Sequence, residues 1–119
     1  MKVLIHHIYE YRKGLRSLVM HTLPARFGEE ATRKLRHYGI DYHIHDLGKS
    51  HINVFFGAPE CVAVIRSICN GKKLNALTPE EDFVLGSMLG YDIRKQCERY
   101  LKKSAASVAV ARPVIHKCA

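Results

Sequence analysis

Residues 40–56 read IDYHIHDLGKSHINVFF, and this stretch decides the fold. Apolar and polar residues alternate on both sides of a Gly-Lys-Ser triplet, as in two strands joined by a tight turn. Parity sets the register: residues directly opposite in an antiparallel pair share a face, so their numbers sum to a constant. A sum of 98 pairs Ile44 with Val54 and Tyr42 with Phe56, giving one apolar face. The other face then carries His43 opposite Phe55 and His45 opposite Asn53. A sum of 97 would set His45 against Ile52 and mix the faces, so a three-residue loop, Gly48-Lys49-Ser50, is expected.

Working outward, residues 16–23 read as a third strand closed by Pro24, with Val19 and His21 on one side and Leu18 and Met20 on the other. Residues 25–38 carry Phe27, Ala31, Leu35 and Tyr38 on one helical stripe, with Gly39 just past the end. Before them, Leu4, Ile8, Tyr11 and Leu15 recur at helical spacing, and Gly14 sits where a helix would stop. That favours a helix over residues 1–13 against a competing strand at 3–8. Pro59 opens a further helix lined by Val62, Ile65, Ile68 and Cys69 and ended by Gly71. Thr78-Pro79-Glu80-Glu81 has the form of a capping box, and Phe83, Leu85, Met88 and Leu89 follow it. The pair Gly86 and Gly90 loosens that helix and allows close packing. A last helix starts near Asp92, with Ile93, Cys97, Tyr100 and Leu101 on one face.

The expected architecture is α+β: a three-stranded antiparallel sheet with about five helices packed mainly on one face, in a single domain over residues 1–102. Residues 103–119 lack a clear period and read as a basic, mobile tail, with a short strand at 108–111 as the alternative. The uncovered sheet face would carry Val19, His21, His43, His45, Asn53 and Phe55. Such a mixture points to a homodimer interface or a ligand surface, with Val19, His43, His45, Asn53 and Phe55 as its interface residues.

Composition bounds the function. The chain has 119 residues, 47% hydrophobic and 25% charged, which excludes collagen, coiled coil, simple disorder and a multi-domain enzyme. Nineteen Lys and Arg against eleven Asp and Glu give +8, and half of that excess falls in residues 102–119. A basic balance favours acidic partners: nucleic acid, an anionic membrane surface or an acidic protein. No window approaches a membrane span, and no signal-peptide cleavage site follows the N-terminal run, so a cytoplasmic protein is expected. The four cysteines lack a C-x-x-C pair and read as reduced structural thiols.

Eight histidines are many for this length. His43 and His45 share one side of a strand, and with His21 they could hold zinc, nickel or copper. The plainer readings are a polar interface or incidental surface histidines. A hydrolase lacks its parts: there is no G-x-S-x-G, and Cys61 has no base placed by spacing. Gly48-Lys49-Ser50 lacks the upstream glycine of a phosphate loop. No cofactor is expected, and an enzyme is the weaker expectation. Bases cluster at Arg33, Lys34 and Arg36, at Lys72 and Lys73, at Arg94, Lys95 and Arg99, and in the tail, and Tyr9, Tyr11 and Tyr91 could stack on nucleic acid, yet no recognised binding signature accompanies them.

Several blocks stand in a distinctive order: MKVLIHHIYEYRKGLR at 1–16, HINVFFG at 51–57, LTPEEDF at 77–83, LGYD at 89–92 and QCERY at 96–100. Together they resemble a family of small bacterial proteins, domain-of-unknown-function family twenty twenty-three, over about residues 1–102. The resemblance implies three strands, five helices and a homodimer. It implies no established activity, so no catalytic residue is carried over. It also implies an association with flavodoxin genes. Flavodoxins are typically acidic and this chain is basic, so a weak, charge-steered complex would fit an accessory or regulatory partner of a flavodoxin. The alternatives are weak nucleic-acid binding and metal binding by the sheet-face histidines.

Overall fold

A computed structural model describes the backbone of residues 1–111 and the side chains of residues 1–105. In chain order the elements are α1 (Lys2–Arg12), β1 (Leu18–Pro24), a 3-10 turn (Ala25–Phe27) leading into α2 (Gly28–His37), β2 (Asp41–Gly48), β3 (His51–Gly57), α3 (Pro59–Cys69), a second 3-10 turn (Leu74–Ala76), α4 (Pro79–Met88) and α5 (Ile93–Ala111). The α+β class, three antiparallel strands and five helices are all as expected. Residues 1–13 take the helical alternative. The last helix corrects the expected boundary: residues 104–111 continue α5 rather than starting a tail or a strand. That stretch is alanine-rich and free of Gly and Pro, so extending the helix costs little. Residues 112–119 of the expected tail lie outside the described residues. Contacts within the chain gather in two compact units that divide after Ala76.

In the first unit, β3 is the central strand, with the order β1-β3-β2. The β2–β3 pairing follows the expected register, with Tyr42 opposite Phe56, Ile44 opposite Val54 and His45 opposite Asn53. Next to the turn it departs from it. Leu47 is an extra residue, Gly48 pairs with His51, and the loop shortens to Lys49-Ser50. Both loop residues sit at positive φ, 50° and 66°, as a primed hairpin turn requires. The twist of such a turn matches the strands, and Asp46 Oδ1 accepts from the Gly48 N–H at 2.8 Å. Neither Lys nor Ser favours this conformation. Lys49→Asn with Ser50→Gly is therefore expected to stabilise the protein by about 1 kcal/mol, read as a higher urea midpoint at unchanged slope.

The β1–β3 register corrects the expected faces. Val19 pairs with Phe56 and His21 with Val54, while Met20 pairs with Phe55 and Thr22 with Asn53. Val19 and His21 thus share a face with Val54 and Phe56, across the sheet from His43, His45, Asn53 and Phe55. That first face packs with Leu4 and Ile8 of α1 and Ala31 and Leu35 of α2 in one buried cluster. Helix α3 packs on β2 and β3. Its buried Val62, Ile65 and Ile68 stand outside that cluster, and Arg66 Nη2 donates to the Tyr42 carbonyl at 2.7 Å. We conclude that α3 covers the second face, where Leu18 and Phe55 are buried. Within this unit, then, α1 and α2 lie on one face of the sheet and α3 on the other. The reason is in β3: Ile52 to Gly57 are all buried, and burial of successive residues marks a strand covered on both sides.

In the second unit, Thr78 and Glu81 form the expected capping box. A Cβ added to Gly86 would collide with the Gln96 side chain, so the absence of one lets α4 and α5 approach. Arg99 grips Asp82 with two hydrogen bonds, at 2.7 and 3.1 Å, which hold the Asp82 carboxyl below its usual range. Among the described residues, no helix is long and apolar enough to cross a membrane.

Candidate functional site

The register separates the sequence-predicted site residues. His43 and His45 lie on the α3 side, His45 almost fully buried, above a shallow hollow of about 300 Å³ that Lys72, Lys73 and Asp46 also line. His21 lies on the α1 side, its ring 5.3 Å from the His7 ring. Among the described residues, no three His, Cys, Asp or Glu side chains converge to hold a metal ion. Of the expected interface, Val19 and Phe55 have no exposed surface, and Asn53 is buried and accepts from the Thr22 hydroxyl. Val19 belongs to the α1–α2 core, because β1 presents its odd-numbered residues to that side.

The His7–His21 pair is part of a titratable corner. His7 and Arg16 both approach Glu10 Oε1, at 3.3 and 3.9 Å, and His6 comes within 4.0 Å of the other oxygen. Burial pushes the His21 imidazole below its ordinary value of 6.5, and His7 and the N-terminal amino group push it further. Burial also lowers His43, assisted by Arg66 and His45. The sign follows from proton counts. Below 6.5 the unfolded chain protonates these rings while the folded chain still resists, so unfolding takes up protons. Stability is full above the ordinary value and falls as the pH drops through the lowered ones. Urea midpoints are expected to fall between about pH 7 and about pH 5, and His21→Gln to remove part of that slope, leaving His43's share.

The outer surface of α1 and α2 is built differently. Leu4 and Ile8 turn inward from α1, which leaves Ile5 and Tyr9 outside, 49% and 55% exposed. Tyr38, just past α2, is 46% exposed. Two adjoining hollows of about 360 and 320 Å³ share Ile5, Ile8 and Tyr38, and so form one groove. Arg12 and Lys13 line one part, and Arg33, Lys34, His37 and Glu30 the other. The Arg12 guanidinium lies over the Tyr38 ring at 4.5 Å, and Lys13 Nζ over the Tyr9 ring at 5.4 Å. Among the described residues, none of Arg12, Lys13, Arg33 and Lys34 is paired with a carboxylate. Arg12, Lys34 and His37 also lie in the last turns of their helices, where positive charge opposes the dipole.

The sequence marks Arg33, Lys34 and Tyr9 individually, but their meeting across two helices is a tertiary fact. The available signal was the unexplained outward pair Ile5 and Tyr9 on α1. Tyr11, grouped with Tyr9 as a possible base-stacking residue, instead packs edge-on against Phe56 at 6.5 Å.

A family model described as "Protein of unknown function (DUF2023)" matches residues 2–103. The chain belongs to this family. The match takes in the DUF2023 protein's whole sheet, α1 to α4 and the first half of α5. The family description assigns no activity, so the groove stands on its own chemistry. No curated protein matches the chain.

Proposed function

We propose that this DUF2023 protein is a small interaction module that takes an acidic protein partner, a flavodoxin being the first candidate. The observation that carries the reading is the set of unpaired cations on the α1–α2 groove. They sit in a unit whose residues 1–76 hold twelve Lys and Arg against six Asp and Glu. A predominantly positive surface of this kind steers an oppositely charged partner and sets its orientation more than its affinity. An aliphatic residue on the groove, Ile5, and a carboxylate in its lining, Glu30, favour a protein over a phosphate backbone. The homodimer implied by the family resemblance belongs to the same proposal, and sedimentation at the titration concentrations reads it.

The test is a calorimetric titration with a flavodoxin at about 50 mM and about 300 mM salt. A saturable signal that weakens with salt is expected. No signal at either salt would overturn the flavodoxin assignment. Tighter binding to a mixed-sequence oligonucleotide than to the flavodoxin would replace it with the nucleic-acid reading.

A further inference from the structure

The groove holds more than charge, and its apolar part has no role in purely electrostatic steering. Resting on the acidic-partner reading, we propose that the α1–α2 groove seats an acidic segment of the partner that carries one large apolar side chain. The carboxylates would meet Arg12, Arg33 and Lys34, and the apolar side chain would lie against Ile5 and Tyr38.

Three observations support this occupant. Cations stand on both walls, Arg12 from α1 and Arg33 and Lys34 from α2, so a chain lying between the helices meets positive charge on each side. The surface between them is Ile5 and Tyr38, about half exposed, which gains by being covered. Arg12 is already held against the Tyr38 ring, so its position is set before binding and its N–H edge remains for a carboxylate. A hollow of about 360 Å³ lies near the lower end of the size found for bound side chains and small ligands. Glu30 in the second hollow disfavours acid at that point and helps fix the direction of the segment.

The test uses the full chain and a fluorescein-labelled peptide of about twelve residues, rich in Glu with one central Phe, read by anisotropy. A second peptide replaces Phe with Ala. The Phe peptide is expected to bind about tenfold tighter than the Ala peptide. Ile5→Ser should erase most of that difference by weakening the Phe peptide far more than the Ala peptide. Arg33→Glu with Lys34→Glu should weaken both peptides about tenfold or more, whereas Arg94→Glu with Lys95→Glu on α5 should weaken them about twofold at most. Circular dichroism confirms that each variant is folded, and Ile5→Ser alone suffices if the double variant is not. Equal binding of the two peptides, no binding of either, or a larger effect from the α5 pair would overturn the proposal. If the protein titration succeeds but ignores Arg33→Glu with Lys34→Glu, the groove assignment falls and the acidic-partner reading stands. If the peptides discriminate but the titration is silent, the groove stands and the named partner falls.

Discussion

Gly57→Ala is expected to destabilise the protein by about 3 kcal/mol or more, seen as a large drop in urea midpoint or as failure to fold. Gly57 ends β3 and pairs with both Leu18 and Asp41, so all three strands meet at this residue. Its φ is +151°, a region that side chains rarely adopt. A Cβ there would collide with the Ser17 carbonyl oxygen and press on the Leu18 Cα at 3.0 Å. That oxygen also accepts the Ala58 N–H at 2.9 Å, which joins the start of α3 to the segment before β1. Backbone cannot swing aside as a side chain can, so the strain reaches both strand pairings. Gly14→Ala is the control. Gly14 also has positive φ, +80°, but nothing lies within 4 Å of the added atom, so its cost is expected near 1 kcal/mol. Similar losses in the two variants would show that the collision at Gly57 is absorbed and that only the dihedral matters.

The second large effect is expected from Phe56→Ala, about 3–5 kcal/mol. Phe56 has no exposed surface, lies opposite Val19 on one neighbour and Tyr42 on the other, and receives the edge of the Tyr11 ring from α1. Truncation leaves a void between sheet and helix that neither can close without moving α1. Because α1 supplies Ile5, Tyr9 and Arg12 to the groove, peptide binding should suffer along with stability. Tyr38→Ala makes the contrast: its ring is half exposed, so stability is expected to change by no more than about 1 kcal/mol while the groove loses its ring. Equal losses of stability from the two substitutions would contradict the division drawn between core and docking surface.

These elements were not equally legible. The β2–β3 register could be read because alternation and parity apply on both sides of one short turn. The face of β1 could not, since alternation separates odd from even residues without saying which set meets α1. That choice depends on alignment with a strand more than thirty residues away, and it puts Val19 and His21 on the opposite side from His43 and His45. Alternation also hid the cover on the second face: Asn53 and Phe55 looked open, although the buried run in β3 leaves no polar side for water. At α5, Ser and Ala carry no stop signal, and the helix runs past the point where its apolar stripe fades. The groove was visible only as scattered charges and tyrosines.

The order β1-β3-β2 also has a consequence for how the chain folds as it is made. The two outer strands are hydrogen-bonded to β3, which is the last of the three in sequence. A nascent chain ending at residue 50 holds two strands and neither of the ladders. Once residues 51–57 emerge, the hairpin closes locally, while β1 must return across the intervening α2 and β2 to join it. Closing that long loop is the slow, non-local event, so synthesis order and assembly order run in opposite directions for this sheet.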